Sequence, residues 1–115
     1  MLTHSLERGV LVLTLNDDPA GDSRDLLPHY ISDLIHAHSP APVVIVLSAA
    51  ATAAVIGAVL HAHRMCGRLD VLMSVATPSA AARRAFEAQV TPRGTRLIVH
   101  ARTETAIDTA FATAA

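Results

Sequence analysis

The sequence contains no lysine and no tryptophan, and all nine of its basic residues are arginine. The absence of lysine excludes Schiff-base chemistry and a P-loop lysine. Tyr30, Phe86 and Phe111 are the only tyrosine and phenylalanines, so the core must be mainly aliphatic. Cys66 is the only cysteine, which excludes an internal disulfide.

Charge is also scarce, since only 17% of the 115 residues are charged and the formal net charge is −1. This balance gives no reason to expect binding to nucleic acid or to an anionic membrane surface. The apolar fraction of 51% argues against disorder, and the length fits one domain over residues 1–115. The opening "MLTHSLERG" reaches charged residues before any apolar segment, so we expect no signal peptide and a cytoplasmic location.

One long uncharged run, "APVVIVLSAAATAAVIGAVLHA", approaches the length of a membrane span. Its first part is rich in β-branched residues and its second part is diluted by alanine. This change of composition predicts a buried strand over Val43–Leu47 followed by a helix that starts just after Thr52. A transmembrane helix explains the two halves less well.

The remaining segments alternate between strand and helix patterns, in the order β-β-α-β-α-β-α-β-α. A turn is expected at Arg8–Gly9, and an amphipathic helix is expected over Asp25–His38 with Pro28 in its first turn. Gly67 is expected to end the second long helix, and Leu69–Ser74 to form the next strand.

The segment "TPSAAARRAFEAQ" predicts a helix capped by Thr77, with Pro78 at its first position and with Arg83 and Arg84 on a solvated face. Aliphatic residues of several elements are expected to form one common core: Leu34, Val44, Ile45, Val59, Leu60 and Leu72.

Histidine pairs in the repeated tripeptide His-Ala-His suggest metal binding at first sight. On a helix, however, two residues at this spacing point about 200° apart, so neither His36/His38 nor His61/His63 can chelate one ion. Aspartates cluster near one turn without the spacing of an EF-hand loop: Asp17, Asp18, Asp22 and Asp25. No G-x-S-x-G, G-x-G-x-x-G or P-loop motif occurs. We therefore expect no enzyme activity, no cofactor and no metal.

Four stretches, in this element order, are similar to those of one known family. They are "VVIVLS", "TAAVIGAVLHAHR", "GRLDVLMSVATPSAAARRAFE" and "TETAIDTAF". Together they resemble the STAS domain, the family of bacterial anti-sigma factor antagonists and of regulatory tails of sulphate transporters. The resemblance covers essentially the whole chain. It implies a single α/β domain in which about four helices pack mainly on one face of a small mixed β-sheet.

The sequence departs from the family where the switch residues are expected. The family's helix opens with Asp-Ser-Ser-Gly-Leu-Gly, and a partner kinase phosphorylates a serine there. The resemblance places Thr52 at the family's aspartate, Ala53 at the phosphoacceptor serine and Ala54 at the second serine. Val46 replaces the aspartate of the preceding strand. Because alanine has no hydroxyl group, the resemblance implies a regulator that serine phosphorylation cannot switch.

By the same resemblance, the protein binds an anti-sigma factor of the ATP-binding kinase type, so that a sigma factor is released and transcription is regulated. We expect a monomer or a weak homodimer without nucleic-acid or membrane partners. The implied contact surface combines one turn with the start of the second long helix: Asp17, Asp18, Ser48, Ala49, Ala50, Ala51, Thr52, Ala53, Ala54 and Gly57.

Other interpretations of the same residues remain open. Thr52 is a common helix cap, and the alanines are also what a GC-rich genome produces. A shift of one residue in the comparison makes Thr52 the phosphoacceptor. The alternatives for the whole protein are a STAS scaffold or sensor-assembly protein without a sigma-factor partner, and a small-ligand carrier.

Overall fold

The computed structural model of the protein describes residues 2–15, 22–47, 52–88 and 97–114. Five strands and four helices alternate in the predicted order. They are β1 (Leu2–Glu7), β2 (Val10–Leu15), α1 (Asp22–His38), β3 (Val43–Leu47), α2 (Ala53–Leu69), β4 (Met73–Ala76), α3 (Ala80–Glu87), β5 (Ile98–His100) and α4 (Thr103–Ala114). Within these residues, no helix is long and apolar enough to cross a bilayer.

The five strands form one mixed sheet in the order β1-β2-β3-β4-β5. β1 and β2 are antiparallel and joined by a tight turn in which Arg8 and Gly9 both have positive φ, at 52° and 78°. The other neighbouring strands are parallel. β3 is central, as its continuous apolar sequence predicts, and all but one of its residues are buried.

The two faces of the sheet carry two separate apolar clusters. The larger cluster joins strand residues such as Leu13 and Ile45 to α1, α2 and Phe86 of α3. The smaller cluster joins Val44 and other strand residues to the buried side of α4. The prediction that the helices pack mainly on one face is confirmed, because three of the four lie on the same side.

The predicted core residues divide into three groups. Val44, Ile45 and Val59 are buried, although Val44 belongs to the smaller cluster and not to a common core. Leu34 and Leu60 are only partly buried against the larger cluster. Leu72 was wrongly placed, since its side chain is 40% exposed. It lies before β4, where its carbonyl oxygen accepts from the Val43 amide at 2.8 Å.

Helix α1 begins three residues earlier than predicted, at Asp22 and not near Asp25. Pro28 consequently lies beyond the first turn, where its ring removes one hydrogen bond of the helix. The apolar stripe of this helix is narrow. Leu27 and Ile31 are buried, whereas Tyr30 is exposed.

Helix α2 continues two residues past Gly67 and ends at Leu69. Asp70 provides the left-handed C-cap with φ 59°, a conformation in which aspartate is one of the better-tolerated residues. The amide of Val71 then donates to the Cys66 carbonyl at 2.8 Å. Asp70 and Val71 are therefore used to end α2, and the next strand begins only at Met73.

The cap of α3 is Ser79 and not Thr77, so Pro78 precedes the helix. The Ser79 hydroxyl accepts from the Ala82 amide at 3.1 Å. Thr77 is buried and extends the pairing of β4 with β5 by one residue, because its amide donates to the His100 carbonyl at 2.9 Å. Its hydroxyl accepts from the Ser79 amide at 3.3 Å and thus shapes the turn that precedes the helix.

Candidate functional site

The predicted contact surface lies where β2 and β3 end. These two parallel strands stop level with each other, since Leu15 is opposite Leu47. Ligands of α/β proteins commonly bind at the carboxyl ends of parallel strands. Much of the predicted surface falls outside the described residues: Asp17, Asp18, Ser48, Ala49, Ala50 and Ala51. The structure places Thr52, Ala53, Ala54 and Gly57.

Thr52 is the N-cap of α2. Its backbone is extended, with φ −80° and ψ 167°, and its Oγ1 accepts from the Val55 amide at 3.4 Å. Its carbonyl oxygen accepts from the Ile56 amide at 2.9 Å and so begins the hydrogen bonds of the helix. The capping function suggested by the sequence is confirmed, and it fixes the position at which the first turn starts.

The first two turns of α2 present a small and uncharged outer surface. Ala53 and Gly57 are both exposed, one helical turn apart, while Ala54 is half-buried. A Cβ atom built on Gly57 meets no other atom within 4 Å. The fold therefore does not require glycine here, although glycine in a helix interior costs about 0.5–1 kcal/mol relative to alanine.

No side chain in these turns can act as an acid, a base or an activated nucleophile. The sequence of α2 contains no aspartate or glutamate, and Thr52 carries the only hydroxyl group between residues 52 and 57. The N-terminal dipole of the helix is consequently not compensated by an acidic residue of its first turn.

Deeper in α2, burial sets the protonation of two side chains. His63 is half-buried, and its pKa is lowered, first by burial and then by the neighbouring charge of Arg64. Burial raises the pKa of the Cys66 thiol to about 11. Cys66 is thus a neutral packed residue at ordinary pH and not a nucleophile.

The two histidines of the α1 pair hydrogen-bond within their own helix. His36 and His38 of α1 place Nδ1 at 2.8 Å and 2.9 Å from the carbonyl oxygens of Ser32 and Leu34, on their own helix. His38 also contacts His4 of β1, with ring centroids 5.9 Å apart. Across the described ranges, no three His, Cys, Asp or Glu side chains form a group that could hold a metal ion.

Two arginines differ from the sequence-based expectation. Arg83 is not simply solvated, because its Nη1 donates to the Thr77 carbonyl at 3.0 Å and ties α3 to the end of β4. Arg68, which is exposed on the outer side of α2, was not singled out from the sequence. The signal was present in the spacing, since Arg68 follows Arg64 by four residues, which is one helical turn.

No protein-family model matches the sequence, and no curated protein matches it. Among solved structures, a serine-to-glutamate variant of RsbS from Moorella thermoacetica has a TM-score of 0.74 to this chain, with 14% sequence identity. The match covers 98% of this chain and 97% of that chain. RsbS is a STAS-domain anti-sigma factor antagonist. The chain has the STAS fold. The fold expected from the four sequence stretches is thereby confirmed.

Proposed function

We propose that this protein is an anti-sigma factor antagonist that binds a kinase-type, ATP-binding anti-sigma factor through the N-terminal end of α2. The observation that carries the proposal is the STAS fold, with an exposed and uncharged Ala53–Gly57 surface at the start of this helix. The antagonist function of RsbS supports the general kind of activity. Sequestering the anti-sigma factor would release a sigma factor and so regulate transcription.

In this proposal the protein binds its partner constitutively. Ala53 occupies the position that the sequence comparison assigns to the phosphoacceptor, and its methyl group is exposed in the first turn. A phosphoserine there would add roughly −2 charge to the contact surface. Because alanine cannot accept phosphate, the partner kinase has no means of switching the protein at this position.

Calorimetry tests the binding. It measures the affinity of this protein for each ATP-binding anti-sigma factor encoded in the source genome, purified one by one. Ala53→Asp should weaken the complex by about 1–3 kcal/mol, because it places a fixed charge in a desolvated contact. Ala80→Asp is the matched control, since Ala80 is the exposed first residue of α3 directly after its cap. Both substitutions interact equally with a helix dipole, but only the first should weaken binding.

Phosphorylation is tested with the same kinases and ATP, followed by mass spectrometry. The wild-type protein should stay unmodified, and Ala53→Ser should acquire a phosphate. Phosphate on Thr52 of the wild type would overturn the constitutive part of the proposal. A wild-type protein that binds none of these anti-sigma factors but forms a large self-assembly would instead establish the scaffold alternative.

A further inference from the structure

The outer face of α2 continues beyond the small residues into a basic region. Ala53, Gly57, His61, Arg64 and Arg68 are all exposed. At 3.6 residues per turn, these five positions fall within about 80° of one another around the helix. They form one straight strip, uncharged at its N-terminal end and basic at its C-terminal end. We call the part from His61 to Arg68 the basic strip.

The basic strip has no counter-charge in the described part of the protein. Neither Arg64 nor Arg68 takes part in an ion pair or a side-chain hydrogen bond there. The two arginines are four residues apart, a spacing at which like charges destabilise a helix. No acidic residue occurs in the 17 residues of α2 to relieve this repulsion.

Among the side chains that the structure describes, neighbouring elements do not supply the missing anions. Asp33 of α1, Glu87 of α3 and the cap residue Asp70 are exposed, and no ion pair joins any of them to the strip. The helix dipole accounts for Arg68, which lies in the last turn. It does not account for Arg64 or His61, which lie before that turn.

We infer that the basic strip is the electrostatic half of the partner contact, and that the anti-sigma factor meets it with an acidic surface. This inference rests on the proposed function. The net charge of the protein is −1, so its overall field does not attract an acidic partner. The basic strip can attract an acidic partner locally. Because the other end of the same helix face is uncharged, the strip also fixes the direction in which the partner lies along α2.

Charge reversal is the test, with the same purified ATP-binding anti-sigma factors as probes. Replacing both arginines of the strip by glutamine (Arg64→Gln with Arg68→Gln) should weaken Kd about tenfold, and replacing both by glutamate about a hundredfold. The salt dependence of Kd should decrease in both double variants. Arg84→Glu is the matched control, because Arg84 is exposed, forms no ion pair with the described residues and lies in the last turn of α3. It should bind as the wild type does.

Thermal melts by circular dichroism show whether each variant is folded, and the glutamine pair keeps the test valid should the glutamate pair unfold. If the wild type binds and both double variants bind as tightly, the inference about the basic strip is overturned, but the proposed function is not. Failure of every anti-sigma factor to bind the wild type would overturn the proposed function and this inference together. Binding of duplex DNA that depends on the two arginines would overturn the inference in favour of a nucleic acid.

Discussion

The inner and outer faces of α2 differ in almost every physical respect. The inner face contributes buried apolar residues that include Val55, Val59 and Cys66. The outer face carries Arg64 and Arg68 and the exposed Gly57, none of which the fold uses for packing. One side of α2 thus packs into the core of the domain, and the other side is exposed to solvent. Substitutions on the two faces should therefore affect different measurements.

The largest effect is expected on the inner face. Val59 is fully buried in the larger cluster, so Val59→Ala should lower the free energy of unfolding by about 2 kcal/mol. Arg64→Ala on the outer face should change it by less than about 0.5 kcal/mol. Chemical denaturation measures both. Equal losses of unfolding free energy in the two variants would contradict the distinction between the faces. Partner affinity should show the opposite order, with the larger loss in Arg64→Ala.

Alkaline pH should destabilise the protein through Cys66, which lies on the inner face of α2. Its pKa rises from 9.0 to about 11 on folding, so the unfolded chain loses the thiol proton first. The contribution of the neutral thiol to stability is therefore fully present below pH 9 and is lost as the pH rises towards 11. Cys66→Ala should flatten this part of the profile of unfolding free energy against pH. An unchanged alkaline slope in that variant would contradict the assignment to Cys66.

The sequence predicted the fold well where a single residue type determines the local structure. The continuous apolar run Val43–Leu47 and the cap Thr52 lie where expected, because burial and capping leave few alternatives. The errors occurred where two signals compete. Gly67 is typical of a helix end, but the helix continues to Leu69 and Asp70 takes the left-handed conformation. Pro28 is typical of a first turn, but α1 extends three residues before the predicted start.

The candidate site could be predicted only in part. The resemblance placed Ala53 and Gly57 at the start of α2, and the structure exposes both. That Arg64 and Arg68 form no ion pair with the described residues could not be predicted, because ion pairing depends on which side chains other elements bring near. Arg83 illustrates the opposite outcome, since it looked solvated in the sequence but hydrogen-bonds to the Thr77 carbonyl.

The smallest expected effect tests the outer face most directly. Gly57→Ala should stabilise the protein by about 0.5–1 kcal/mol, because the new methyl group meets nothing and alanine favours the helix. Gly67→Ala is the matched control, since Gly67 is also exposed in α2 with open space around it. It should raise the melting temperature by a similar amount.

Only Gly57→Ala should weaken partner binding, by about 1 kcal/mol or fivefold in Kd, because the added methyl group would separate two closely packed surfaces. Calorimetry and thermal melts on the same samples separate the two effects. A Gly57→Ala variant that is more stable and binds as tightly as the wild type would show that the partner does not approach the first two turns of α2.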